Sequence, residues 1–594
     1  MVKLPDMPID SALARLFTEE RAEGDATWFS LPGGAVLFEP GEPAEYLYFL
    51  RTGRLGVFRI EDGHEPQFLG LIRPGEPAGE MAMISGGPHT ARVVALRDSE
   101  IFALGREEFF AHSTSDSAIM GELARLMLSR TRRTAPMVGS GASEPTVFGF
   151  MTMSRKLTVR PIVDKIARAI GRLGYGVTVV GVEAQHAPTE WFTEVERNHD
   201  FVLYAAEAED HGWRQVVARQ SDRLLPVARG DLQAPDAPAA YARTTVQAQQ
   251  LVDLLLVQPA LRQRPSGSAA WARAAAPSRV FQLRRDDSAD VRRIARVLTS
   301  QSVGLVLSGG GARAYAHIGA IRALRERDIP IDFVGGASMG AVVAAGVAMG
   351  WGDDELEMRI RQAFVNSSPL DDIALPLLAM THGLKVSERL AQHFGDMEIG
   401  DLWLPFFCVS SNLTTGNYHL HRSGRLRDAL RATIALPGIL PPSTDGSNVL
   451  VDGAVMKNFP TDVMRTFHQG PIIGVDVSRG RSITADDVAR PTSVLRWIFS
   501  GQWRKGPPIV SLLMRAATVS SSRDLAMARE ATDILVTPDV SGVEIRDWAA
   551  FEPAVKAGYE AMCVALDKLP GPVSSLRRRP SRIELEARRA QSLA

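Results

Sequence analysis

The chain has 594 residues, far more than one hydrophobic core organises, so a multidomain protein of roughly two to four domains is expected. Hydrophobic residues make up 45% and charged residues 23%, and the formal net charge is −1, which describes an ordinary globular chain and gives no whole-molecule electrostatic reason to bind nucleic acid. The two cysteines, Cys408 and Cys563, exclude a disulfide framework and read as small core residues.

The first stretch, "MVKLPDMPIDSALARLF", carries no apolar signal core, and no run of about 18 apolar residues occurs, so a cytoplasmic location is the expectation. From Trp28 to Phe110 the chain shows short strand-like runs broken by Gly and Pro: "AVLFEPGEPAEYLYFLRTGRLGVF", "PQFLGLIRPGEPAGEMAMISGG" and "ARVVALRDSEIFAL". This spacing predicts a small antiparallel β-barrel or jelly roll. With the helical "REEFFAHSTSDSAIMGELARLMLSRTRRT" behind it, the barrel is assigned to residues 15–135.

A Gly/Ser/Pro stretch at 136–145 precedes a change of pattern. "PIVDKIARAIGRLG", "YGVTVVGVEA", "PTEWFTEVERNH" and "DFVLYAAEA" alternate helix and strand, and "WRQVVARQS" and "DRLLPVAR" repeat the pair. Alternation of this kind predicts parallel strands with crossover helices, a Rossmann-like α/β segment at 146–262. It has neither a G-x-G-x-x-G strand exit nor a P-loop, so it reads as a structural module. The Ala- and Arg-rich stretch at 262–300 reads as the lead into a third domain at 300–570.

The chemistry-bearing residues fall in that third region. "VGLVLSGGGARAYAHIGAIRALRERDI" opens with an apolar run suited to a strand buried on both faces. Gly309, Gly310 and Gly311 then leave backbone N–H groups bare at the start of a helix, where negative charge is stabilised. The Gly-Lys-Ser/Thr of a P-loop is absent, and a plain tight turn is the other reading. "IDFVGGASMGAVVAAGVAMG" repeats strand, turn and helix around Gly336-Ala337-Ser338-Met339-Gly340, the context of a nucleophile elbow. A glycine loop on the neighbouring strand would supply its oxyanion-hole donors. A serine also needs a base. None of the 12 histidines stands in a triad context, and His317 reads as a packing or hydrogen-bonding residue. In "NVLVDGAVMKNFPTDVMR", Asp452 closes an apolar run before Gly453, so its carboxylate emerges at a turn; taken alone, that is also an ordinary hairpin.

Together "GGGARA", "GASMG" and "DGA", in this order, resemble the signatures of the patatin-like phospholipases, as does "RATIALPGILPPSTDGSNVLVDGAVMKNFP" leading into the aspartate. The resemblance implies an α/β domain with a mainly parallel central sheet and a Ser-Asp dyad without histidine. It gives Ser338 as nucleophile, Asp452 as base, Gly309, Gly310 and Gly311 as oxyanion hole, and Arg313 as a supporting loop residue. Ala314 departs from the family's usual glycine. The arrangement of a barrel like a cyclic-nucleotide-binding domain, an α/β segment and a patatin domain resembles neuropathy-target-esterase-like proteins.

Within the barrel, "AGEMAMISGGPHTARVVA" resembles the phosphate-binding cassette of cyclic-nucleotide receptors, which implies a pocket of Gly79, Glu80, Ala82, His89, Thr90 and Arg92. His89 stands where the cassette arginine is usual, with Arg92 three residues on. A histidine grips phosphate only when protonated, so a cyclic nucleotide is expected to bind weakly near neutrality and more strongly as pH falls toward ~6.

The family resemblance implies a serine esterase acting on acyl esters of phospholipids or lysophospholipids, with no metal, no cofactor and no nucleic acid. A catalytically weak or inactive sensor is the alternative. The basic stretch at 571–594, including "SSLRRRPSRIELEARRAQSLA", is expected to be a solvated tail or a peripheral contact with an anionic membrane.

Overall fold

Each of the three sequence patterns becomes one β-sheet. In the computed structural model the described residues are 16, 27–60, 66–134, 145–235, 251–366, 372–374, 379–478, 522–585 and 587. The chain divides into two compact units, one of residues Met1–Ala260, Ala270–Thr299 and Arg579–Ala594, the other of Leu261–Ala269 and Ser300–Arg578.

The first sheet is antiparallel throughout, with β1 (Thr27–Leu31), β2 (Val36–Phe38), β3 (Tyr46–Arg59), β4 (Gln67–Ile72), β5 (Pro77–Ala78) and β6 (Arg92–Gly105) in the order β1-β6-β3-β4, β2 pairing with β6 and β5 with β3. Irregularities in the β3–β6 register around Thr52 and Arg54 curl the sheet, as bulges do. Phe38, Leu50, Leu55, Val93 and Ile101 fill its interior. The helix expected behind it is two, Arg106–Ser115 and Ser117–Thr134. Asp116 takes an extended conformation and its Oδ1 accepts from the Ala118 N–H, so it ends one helix and caps the next.

The second sheet is wholly parallel. Its strands β7 (Val147–Thr152), β8 (Val177–Val180), β9 (Phe201–Ala206), β10 (Arg223–Arg229), β11 (Leu251–Gln258) and β12 (Arg279–Arg284) run in the order β12-β11-β10-β7-β9-β8. Every residue of β7, β9 and β11 is buried, which is why these runs are continuous rather than alternating. The stretch at 262–300, read above as a connection, supplies β12 and the helix Ser288–Leu298. The α/β segment therefore extends past 262. Arg279 on β12 pairs with the fully buried Asp253 on β11, and Asp287 caps the helix.

Barrel and α/β segment share a core within the first unit: Phe58, Leu71, Val94 and Leu96 cluster with Leu251. Arg54 Nε donates to Asp222 Oδ1 at 3.1 Å, Arg97 donates to both oxygens of Glu196, and Asp222 Oδ2 accepts from the Thr146 and Val147 N–H groups. Burial alone would raise the Asp222 carboxyl, but the two guanidinium groups and the two amides hold it below its ordinary value. A carboxylate lowered in this way adds stability above its unfolded pKa, and that stability is lost as pH falls through the folded one. Asp222→Ala, which leaves two buried arginines short of a partner, is expected to destabilise this unit by ~3–5 kcal/mol, measured by thermal unfolding at pH 7. The deficit should shrink on acidification, and a deficit unchanged at low pH would contradict the ion-pair account.

The described part of the basic C-terminal stretch is held by polar partners rather than free. Arg577 Nε donates to Asp533 Oδ1 and the Arg582 N–H to Asp200 Oδ1, both at 2.7 Å, while the Arg582 side chain meets the Arg197 carbonyl. Residues 586 and 588–594 lie outside the described residues. No helix among the described residues is long and apolar enough to cross a membrane.

The third sheet has a parallel centre formed by β13 (Gly304–Leu307), β14 (Phe333–Ala337), β15 (Phe406–Asn412), β19 (Ile472–Val475) and β20 (Ile534–Val536), with antiparallel β16 (Asn417–His421), β17 (Ser443–Asp445) and β18 (Asn448–Val451) at one side. The order is β17-β18-β15-β14-β13-β19-β20, with β16 also on β15. The helices Ala316–Glu326 and Ser338–Ala348 are buried along nearly their whole length, so their small apolar residues reflect packing on all sides.

Candidate active site

Parallel register places the site. Leu307 at the end of β13 lies opposite Gly336 on β14, and Ala337 lies opposite Val409 on β15, so the glycine loop and Ser338 leave the sheet side by side at its carboxyl edge. Ser411 on β15 pairs with Val451 on β18, which brings Asp452 to the same edge. Residues 114 positions apart thereby meet: Ser338 Oγ donates to Asp452 Oδ2 at 2.6 Å.

Ser338 sits at φ +50°, a left-handed conformation unfavourable for a side-chain-bearing residue and the strain expected of an elbow. Its N–H donates to Thr433 Oγ1 at 2.9 Å, and Thr433 in turn donates to the Val409 carbonyl. A Cβ at Gly340 would overlap the Ser308 and Leu307 carbonyl oxygens, so the turn closes only with glycine there.

Asp452 is 2% exposed. Burial pushes its carboxyl up to about 7, against the hydrogen bonds from Ser338 and the Ala454 N–H. The Ser411 hydroxyl bridges the segment by donating to the Asp452 carbonyl and accepting from the Met456 N–H. A carboxyl poised near neutrality and hydrogen-bonded to a serine hydroxyl can serve as its general base near pH ~7.

The three loop glycines are not equivalent. The Gly309 N–H is committed to the Asn458 carbonyl at 3.2 Å, which removes it from the expected oxyanion donors. Among the described residues the N–H groups of Gly310 and Gly311 have no acceptor. Gly311 sits at φ +57° with the Ile545 carbonyl packed against its Cα, and the Ala312 N–H donates to that carbonyl at 2.8 Å. Arg313 Nε donates to the Val543 carbonyl at 2.7 Å, so this side chain fastens the loop to the 543–545 segment. His317 is fully buried, donates from Nε2 to the Ser308 carbonyl at 2.8 Å, and is pushed down to about 4 by burial. It is a neutral strut under the loop, in keeping with a hydrogen-bonding role.

In the barrel, Gly79 (φ +86°) leads into the short helix Glu80–Ser85, in which Glu80 and Ala82 are buried, while Thr90 is exposed. The His89 ring is 5% exposed and stacks on Phe38 with centroids 3.7 Å apart. Burial draws its pKa below the ordinary histidine value, against Glu42 and Glu80. This works against the expected gain of a cationic ring as pH falls toward ~6. Arg92 Nε is engaged by Glu39 Oε2 at 2.7 Å. The 570 Å³ cavity on this barrel is lined by other residues, among them Pro43, Tyr46, Gly87 and Arg106.

Residues 305–465 match the patatin-like phospholipase family and residues 28–114 the cyclic nucleotide-binding domain. A protein of Mycobacterium tuberculosis named as an uncharacterized NTE family protein is 31% identical over 563 residues, which cover 91% of this chain and 92% of that one. The chain belongs to the NTE family. Neuropathy target esterase sws of Drosophila melanogaster is 25% identical over 90% of this chain and 42% of its own length, and patatin-like phospholipase domain-containing protein 6 of Homo sapiens is 24% identical over 90% and 44%. The chain thus spans less than half the length of these animal relatives. Membership of the NTE family, with its patatin-like phospholipase domain, makes this chain a lipid hydrolase. Sequence reasoning missed Thr433, Ser411 and the 543–545 segment, whose roles lie in backbone contacts that no spacing along the chain encodes.

Proposed function

We propose that the chain is a serine esterase that hydrolyses acyl ester bonds of phospholipids or lysophospholipids through a Ser338–Asp452 dyad. The observation that carries this reading is the 2.6 Å hydrogen bond from Ser338 Oγ to a buried carboxyl. In the acylation step Ser338 Oγ attacks the ester carbonyl carbon and its proton passes to Asp452 Oδ2. The carbonyl oxygen, now anionic, takes hydrogen bonds from the Gly310 and Gly311 N–H groups at the mouth of the helix that follows. Collapse of this intermediate expels the glycerol oxygen, which takes the proton from Asp452. Water then gives its proton to Asp452 and attacks the acyl-enzyme, and Ser338 recovers a proton as the fatty acid leaves.

The test is fatty-acid release from lysophosphatidylcholine, diacyl phosphatidylcholine and a short p-nitrophenyl ester. Release from at least one lipid is expected; release from none of the three would favour the inactive-sensor alternative. The barrel is a regulatory or interaction module in this reading. Because burial disfavours the cationic form of the stacked His89 and Arg92 is paired, calorimetry with cyclic AMP and cyclic GMP should show no binding tighter than about millimolar at pH 7.5 and little gain at pH 6. Tight binding that disappears in Arg92→Ala would show that Arg92 leaves Glu39 for the phosphate.

A further inference from the structure

We propose that Asn458 is the positioning residue that sets the oxyanion loop against the nucleophile. The inference rests on reading Ser338 as that nucleophile. Asn458 holds Gly309 from both sides of its peptide chemistry: its backbone carbonyl accepts from the Gly309 N–H at 3.2 Å, and its Nδ2 donates to the Gly309 carbonyl at 3.3 Å. The carboxamide orientation follows, since exchanging Nδ2 and Oδ1 would set two oxygens against each other. Oδ1 is buried without a partner and packs on the Gly309 Cα, where a Cβ would lie 2.5 Å from it and 2.9 Å from Ser338 Cβ. Gly309 is thus wedged between the Asn458 carboxamide and the nucleophile.

With Gly309 saturated, the loop's remaining N–H groups, those of Gly310 and Gly311, are the ones left to face a developing oxyanion. The direction of the Gly310 N–H is set by the peptide plane between Gly309 and Gly310, and the oxygen of that plane is the one Asn458 Nδ2 holds. His317 fixes the preceding carbonyl, that of Ser308. Asn458 also belongs to the compact turn that carries the base: Asp452 caps the turn Gly453–Val455, and the Lys457 N–H donates to the Gly453 carbonyl at 2.8 Å. One short segment therefore delivers the base to Ser338 Oγ and the strut to the loop, so neither can shift without the other.

Oxyanion donors act on the transition state and hardly on the bound ester. In the full chain, Asn458→Ala is expected to lower kcat for lysophosphatidylcholine about 100-fold with KM within about threefold. A trifluoromethyl ketone analogue, whose serine adduct carries the same oxyanion, should bind weaker by the same factor. The rising limb of the pH profile, set by Asp452, should stay in place. The near-isosteric Asn458→Leu keeps the volume and loses the donor without adding a charge beside the dyad, so it should show the same pattern even if the alanine variant folds poorly. An active wild type with variants that change KM alone, or that lose activity without weakening the ketone, would overturn this inference and leave the dyad standing. An inactive wild type that does not bind the ketone would overturn both.

Discussion

Asp452→Asn is expected to lower kcat by about 10³-fold or more while making the folded protein more resistant to denaturant at pH 8. The first effect follows from the geometry, because the amide keeps the carboxyl's shape and accepts from Ser338 but takes no proton from it. The second follows from burial. A carboxyl at about 7 in the folded chain and at ~3.9 in the unfolded chain contributes stability as the protonated form. That contribution is fully present below pH ~4 and is lost as pH rises through about 7. An asparagine does not titrate, so the variant escapes the loss, which amounts to at most about 4 kcal/mol for a shift of this size. Denaturant midpoints of wild type and variant should nearly coincide at about pH 4 and diverge in the variant's favour by pH 8. A constant difference across that range would mean that the carboxyl is not raised. The wild-type kcat/KM should rise with pH through the same region near 7, since only the ionised carboxylate accepts the serine proton.

Ser338→Ala is expected to abolish both fatty-acid release and labelling by a fluorophosphonate probe, an effect as large as the loss of the base. Thr433 should stay in place, because it is held through the backbone N–H at position 338 and not through the hydroxyl. Ser338→Gly should be equally inactive yet more stable than the alanine variant by ~1 kcal/mol, since glycine adopts φ +50° without the side-chain penalty. Labelling that survives in the alanine variant would place the nucleophile at another residue, and an alanine variant more stable than the glycine one would contradict the strained elbow.

The sequence alone determined the order of folds and the identity of the two residues that meet. Strand, turn and helix are local patterns, so "VGLVLS", "IDFVGG" and the glycines after them announce two parallel strands with loops at one edge, and "LVDGA" announces a carboxylate at a turn. Apolar periodicity likewise announced the barrel and the α/β segment, though not β12, because "RVFQLR" carries an arginine at each end whose partner, Asp253 for Arg279 and Asp290 for Arg284, is supplied only by the fold. Tertiary structure alone decided which groups each loop atom faces. Gly309 and Gly310 are adjacent and identical as residues, yet one N–H is spent on the Asn458 carbonyl and the other is left for a ligand, and that difference comes from a segment about 150 positions away. The same holds for charge. His89 and Asp452 have ordinary model-compound values by type, and burial, under the ring of Phe38 for one and at the dry edge of the sheet for the other, moves them in opposite directions, the imidazole down and the carboxyl up to about 7.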